Sequence, residues 1–261
     1  MPRAPSFLVP FKPNPGARAR LFCFPYAGAG ASVYRSWAAA FAPAIEIIGV
    51  QLPGRESRFS EPPFAHIGPL LDALLPAILA VIPPGLERSS AHPPARPFAF
   101  FGHSLGSIVA FELCRRLRAA GAPLPARIFV SGRNAPQTPL DEEPLHALPD
   151  EDLIAGLVRY NGTPAAVLAD KELMELLLPA VRADFAIHET YAYTSERPLD
   201  LPITAFGGEA DSTVDEAHLE AWRAQTSRGF RRQMFPGDHF YLNDAQEALT
   251  RAIIDDLAAE I

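Results

Sequence analysis

Short apolar runs alternate along this chain with stretches whose apolar side chains recur every three or four positions. Ala19–Phe24 and the runs 44–50, 97–101, 126–132, 201–208 and Phe230–Phe235 read as buried strands. Helical spacing recurs over 34–41, 67–82, 107–117, 217–227 and 245–261. Strand and helix in turn imply an α/β fold, a mainly parallel sheet with helices on both faces. Two regions break the rhythm. Residues 85–96, with Ser89-Ser90 and Pro93-Pro94, read as an exposed loop. From Pro136 to about Pro198 the alternation stops and helix-like pieces appear, among them Asp150–Tyr160 and 171–191. This reads as a helical insertion, a lid over the active edge of the sheet.

Composition narrows the class. A chain of 261 residues, 48% hydrophobic and 20% charged, has enough apolar side chains for a sizeable core. Its length fits one α/β domain or two small ones, and the resumed alternation after the insertion selects a single domain over 1–261. A net charge of −7 argues against general nucleic-acid or anionic-membrane binding, leaving only a local basic patch open. Cys23 and Cys114 lie inside apolar stretches and read as small buried hydrophobes rather than a disulfide. The start, Met1-Pro2-Arg3-Ala4-Pro5, runs into further prolines without a long apolar core. No apolar run is long enough for a membrane span, so the expectation is a cytoplasmic protein.

The chemistry concentrates at Gly102-His103-Ser104-Leu105-Gly106. Strand, G-x-S-x-G, then helix is the order of a nucleophile elbow, which stands a serine hydroxyl at the carboxyl edge of the sheet. Such a serine needs a base and an orienting acid, in the chain order serine, acid, histidine. His239 follows the strand Phe230–Phe235 through Pro236-Gly237-Asp238 and best fits the base. His66, His92, His146 and His218 read as solvated, His103 as support for the turn, and His188 as a group of the insertion within reach of substrate. Asp211, just after the strand 201–208, is the candidate acid, with Glu209 and Asp215 as competitors and Asp238 a poor one. Asp211 also suits a helix N-cap. The loop Tyr26-Ala27-Gly28 offers the second oxyanion donor, Ala27, beside the backbone N–H of Leu105. No metal-ligand spacing is present, and Gly28-Ala29-Gly30 lacks the third glycine of a dinucleotide site. No cofactor is expected.

Five ordered motifs extend the picture. Leu21 to Gly30, Gln51-Leu52-Pro53-Gly54-Arg55-Glu56, the elbow, Gly208-Glu209-Ala210-Asp211 with Val214, and Phe235 to Leu242 together resemble type II thioesterases. These are the stand-alone editing enzymes of polyketide and nonribosomal peptide assembly, of the α/β-hydrolase superfamily. The resemblance covers nearly the whole chain. It implies hydrolysis of acyl thioesters on the phosphopantetheine arm of an acyl or peptidyl carrier protein, and the chain is expected to act as a monomer. It assigns Ser104 as nucleophile, His239 as base, Asp211 as acid, and the Ala27 and Leu105 N–H groups as the oxyanion hole. Many relatives carry methionine at the Leu105 position and aspartate directly after the glycine where this chain has Glu209.

On the same reading, Tyr26, Leu176 and Leu177 are candidate substrate contacts, within an apolar wall that also includes Leu153, Leu157, Val158, Leu168, Leu173 and Leu178. Arg55, Arg58 and Arg133 are candidates for local positive charge toward an acidic carrier protein. Three rival readings stay open: an acyltransferase, a small-molecule carboxylesterase, and a non-catalytic carrier-binding accessory.

Overall fold

The computed structural model describes residues 6–82, 96–139, 144–160, 162–258 and 260. The loop expected over 85–96 lies outside them except for Arg96, as does His92. Seven strands form one sheet in the order β1-β3-β2-β4-β5-β6-β7. They are β1 (Leu8–Pro10), β2 (Ala19–Phe24), β3 (Ile45–Val50), β4 (Phe98–His103), β5 (Ile128–Ser131), β6 (Ile203–Gly208) and β7 (Phe230–Phe235). All neighbours are parallel except β1 with β3. The six strands expected from the apolar runs are all present. β1 is the addition: three residues in a proline-rich leader are too few to show a period, and Pro10 is tolerated because an edge strand can spare one donor.

Register turns these runs into a two-sided core. Ile48, Phe22, Phe100, Ile128, Ile203 and Phe230 are successive partners across the sheet. On that face they pack against α2 (Ile67–Leu79) and α3 (Leu105–Ala119). The alternate residues Leu21, Cys23, Ala99, Phe101 and Phe129 face the other way. There they meet Tyr34, Trp37 of α1 (Trp37–Ala40), and Leu249, Ile253 and Leu257 of α9 (Gln246–Ala258). Strands buried on both faces read as continuous apolar runs, which is why they are legible. The helix expected over 34–41 is divided: a 3-10 turn spans Ala31–Tyr34 before α1. The one over 217–227 is likewise α7 (Glu216–Glu220) followed by a 3-10 turn, Ala221–Gln225.

The insertion contains α4 (Asp150–Tyr160), α5 (Ala165–Ala169) and α6 (Lys171–Thr190). Leu145, Leu153, Leu157, Met174, Leu178 and Phe185 build a small core of their own. The far end of α6 belongs to the body instead, since Ile187 joins the main core. Beyond it the chain is tied to α3: Arg115 donates to the Thr194 carbonyl at 2.7 Å, Arg118 to the Arg197 carbonyl at 2.8 Å, and the Tyr191 hydroxyl to Glu112 at 2.6 Å.

The chain runs from β2 outward to β3, then back across β2 to β4. The crevice between the carboxyl ends of β2 and β4 is therefore the switch point, where α/β sheets place their sites. Two glycines let the backbones close there. A Cβ on Gly102 would lie 2.2 Å from the Gly106 carbonyl oxygen, and one on Gly106 would lie 2.1 Å from that of Phe24. Gly106→Ala is accordingly expected to cost about 1–3 kcal/mol through overpacking and to lower the melting temperature. Gly68→Ala, where an added Cβ meets nothing, is the control. Equal melting of the two variants would refute the close approach.

Candidate active site

Ser104 stands between β4 and α3 with φ 51° and ψ −116°. Such a conformation costs a non-glycine residue roughly 1–3 kcal/mol and persists only where its surroundings impose it. Here the Ser104 N–H donates to the Ser131 carbonyl at 2.8 Å, and the Ser107 hydroxyl donates to the Gly102 carbonyl at 2.8 Å. Leu105 opens α3, so its N–H has no acceptor within the helix and points out at the positive end of the dipole.

The strands carry the other groups to the same edge. His239, after β7, and Asp211, after β6, meet with His239 Nδ1 2.7 Å from Asp211 Oδ2. The second carboxylate oxygen of Asp211 accepts the Thr213 N–H at 2.9 Å, the Thr213 hydroxyl at 2.8 Å and the Val214 N–H at 3.2 Å. Asp211 thus serves both the histidine and its own turn. Burial raises its pKa, but the hydrogen bonds from His239 and Thr213 outweigh this and hold the carboxyl below its ordinary value. The competitors are placed elsewhere. Asp215 caps α7 in a reciprocal bond with His218, and Glu209 is exposed. Asp238 accepts the Phe240 N–H at 2.8 Å.

A cavity opens over these groups, lined at its floor by Tyr26, Ala27, Ser104 and His239. Leu157, Phe185 and His188 enclose it from the insertion. Phe240 and Gly162 close one side, where a Cβ on Gly162 would fall 2.2 Å from the Phe240 ring. Leu176 and Leu177 do not line it, which corrects the expected apolar wall; Leu176 is 55% exposed. For Leu176 helical phase is the reason. Met174, Leu178, Val181 and Phe185 form the inward stripe of α6, and Leu176 lies across from it. Of the expected wall Leu157 lines the cavity, and Phe185, which was not among the expected residues, joins it.

The three arginines expected at the entrance are all buried. Arg55 pairs with Asp184, and Arg58 pairs with Glu61 at 2.6 Å while covering the Phe7 ring. Arg133 Nη1 lies 2.8 Å from His188 Nε2. None of them offers a carrier protein an exposed charge.

Beneath His239 lies a polar layer that the sequence did not reveal. His103 Nδ1 is 2.8 Å from the Ser131 hydroxyl, which also meets the Tyr241 hydroxyl. The His103 ring centre lies 5.0 Å from that of His239. His146, expected to be solvated, pairs with Glu189. Among the described residues no cluster of His, Cys, Asp or Glu is placed to hold a metal ion, and no helix is long and apolar enough to cross a membrane.

Known proteins share this architecture. A family model described as "Thioesterase domain" matches residues 19–257. The gramicidin S biosynthesis protein GrsT of Aneurinibacillus migulanus is 44% identical over 233 residues, 89% of this chain and 86% of that protein. The solved type II thioesterase BorB from the borrelidin biosynthetic cluster aligns with a TM-score of 0.83 at 36% identity, over 97% of this chain and 99% of that one. YbtT, a type II thioesterase from the yersiniabactin NRPS/PKS pathway, aligns with a TM-score of 0.83 at 30% identity, over 96% and 97%. The sheet and its helices are those of the α/β-hydrolase thioesterases.

Two histidines at the site make stability depend on pH. Burial, then the neighbouring His239, drives the His103 pKa well below its ordinary value; burial, Arg133 and His239 do the same to His188. Both are neutral in the fold and protonate near 6.5 when unfolded. The unfolded state therefore binds more protons as pH falls below about 6.5, and stability declines in that direction. Asp211, with its lowered pKa, adds a loss only below about 4. The melting temperature is expected to fall between pH 7.5 and pH 5, and less so in His188→Gln. A melting temperature flat over that window would contradict the neutral assignment.

Proposed function

The chain belongs to the thioesterase domain family, and we propose that Ser104, His239 and Asp211 carry its chemistry, hydrolysing acyl thioesters held on a carrier protein's phosphopantetheine arm. It is a hydrolase of the type II thioesterase kind found in polyketide and nonribosomal peptide pathways. The reading assigns it the removal of stalled or misloaded acyl units, as a monomer in the cytoplasm. One observation supports it above the others. The serine of a strained elbow and a histidine 2.7 Å from a buried carboxylate open into one cavity, though they come from three separate strands.

In this reading Ser104 Oγ attacks the thioester carbonyl carbon as His239 Nε2 takes its proton. Asp211 holds the Nδ1–H and stabilises the imidazolium. The new oxyanion meets the N–H groups of Ala27 and Leu105, at the N-terminus of α3, where the loss of one donor costs about 3 kcal/mol. Collapse breaks the carbon–sulfur bond, and the departing pantetheine thiolate takes the proton from His239. Water, deprotonated by His239, then attacks the acyl-Ser104 ester, and the proton returns to Ser104 as the free acid leaves. Burial raises the pKa of Tyr26, so it meets the acyl group as a neutral phenol. The chain acts as one domain, and its lid is α4, α5 and the first half of α6, the part whose apolar side chains form a cluster distinct from the two that flank the sheet, with Ala27 of the body packed against it.

Hydrolysis of acyl-loaded carrier protein, followed by intact-protein mass spectrometry, tests the assignment. Ser104→Ala is expected to lower kcat by about a thousandfold or more and to abolish fluorophosphonate labelling, with melting unchanged. Asp211→Asn should be severely impaired, while Glu209→Gln and Asp215→Asn stay within about threefold of wild type. Retained turnover in Ser104→Ala would refute the nucleophile.

Lid and acyl wall have their own test. Leu157→Trp should shift preference toward shorter acyl groups, and Leu176→Trp should not. Amide hydrogen exchange should be faster in α4 and α5 than in β4, and should slow when a non-hydrolysable acyl-pantetheine binds. Equal protection, unaffected by that analogue, would make the segment fixed core.

A further inference from the structure

The motif Gln51-Leu52-Pro53-Gly54-Arg55 takes no part in the triad, yet its arginine is buried against the insertion. The Arg55 and Asp184 side chains are 5% and 1% exposed. They pair through both prongs, Nη1 to Oδ2 and Nη2 to Oδ1, the latter at 2.9 Å. Such burial is expensive, and a hydrophobic pair of similar volume is often no less stable. Stability alone therefore does not account for it.

What the pair grips is the loop after β2. Asp184 Oδ2 accepts the Gly28 N–H at 2.7 Å, while Arg55 Nη1 donates to the Ala29 carbonyl at 3.3 Å. Gln51 completes the frame: its Nε2 donates to the Arg55 carbonyl at 3.2 Å, and its Oε1 accepts the Ala31 N–H at 3.1 Å. Gly28 has φ 79°, a conformation that glycine enters and leaves at little cost. The turn closes on itself through the Ala29 N–H to the Tyr26 carbonyl at 3.1 Å, but that bond does not set how the turn sits against the rest of the site. The ion pair fixes it from outside, on the peptide next to the Ala27 N–H.

We propose that Arg55 and Asp184 are positioning residues for catalysis, a buried clamp that aims the Ala27 N–H at the reacting carbonyl oxygen. This rests on Ala27 being an oxyanion donor, as read above. Because Asp184 belongs to α6, the clamp also joins the helix bordering the lid to the oxyanion loop.

The test uses the full chain and two variants. Arg55→Lys keeps the charge but loses the fork. The double variant Arg55→Met with Asp184→Leu removes the clamp without stranding a charge. Each is measured for folding by circular dichroism and melting, for kcat and KM on a short acyl-N-acetylcysteamine thioester, and for inhibition by an alkyl trifluoromethyl ketone, whose hemiketal places its oxyanion in the hole. In folded variants kcat should fall about 10- to 100-fold, with KM within about twofold and ketone inhibition weakened in proportion. Wild-type kcat and ketone affinity in either folded variant would overturn the proposal, as would a rise in KM alone. Should the double variant not fold, Arg55→Lys decides. Failure of the functional reading is separate, because the wild type itself would then resist both the ketone and fluorophosphonate labelling.

Discussion

The active edge depends on how closely the backbone beside Ser104 can approach its neighbours. Gly106 lies against the Phe24 carbonyl and Gly102 against Gly106, so a side chain at the first would push α3 away from β2 and one at the second would push it away from β4. With α3 displaced, Leu105 and the loop after β2 would no longer face a common point. The same approach holds Ser104 in its costly conformation. The strained serine and the loop after β2 thus both lie beside this one packing contact. The sheet supplies the rigidity, since β4 is central, with parallel neighbours on both sides.

Charge is managed around this edge by burying it in pairs or suppressing it. Arg55 is neutralised by Asp184, and Asp211 is held as an anion by His239 and Thr213. His103 and His188 are kept neutral by burial. This leaves His239 flanked by two uncharged imidazoles and one carboxylate. Cys23 and Cys114 fit the same economy: burial raises both thiol pKa values, which suits inert core residues rather than nucleophiles.

The insertion is divided by its contacts. Its first part packs on itself through Leu145, Leu157 and Met174. Its last part is anchored by Asp184, by Ile187 in the main core and by the arginines of α3 that hold residues 191–198. The stretch from 136 to 198 is thus packed in two different ways along its length. A lid hinged within α6 would shift Leu157 while leaving His188 close to Arg133.

Local pattern was sufficient for the six apolar strands and for the place of the helices between them, though not for the 3-10 turns that divide two of those helices, because continuous apolar runs and helical spacing depend on neighbours in sequence. The elbow was equally legible, since G-x-S-x-G records a backbone approach that only glycine permits. Chain order and strand ends put Asp211 and His239 ahead of their competitors, and the structure brings the two within hydrogen-bonding distance. Other features depended on partners far away in sequence. The edge strand β1 exists only through its ladder with β3. Arg55, Arg58 and Arg133 read as surface charge until Asp184, Glu61, Phe7 and His188 arrived to bury them. Leu176 was indistinguishable from Phe185 by composition, and only the docking of α6 chose which stripe faces the serine. A sequence records what each residue prefers locally; which charges meet, and which face of a helix is covered, is decided when distant segments pack.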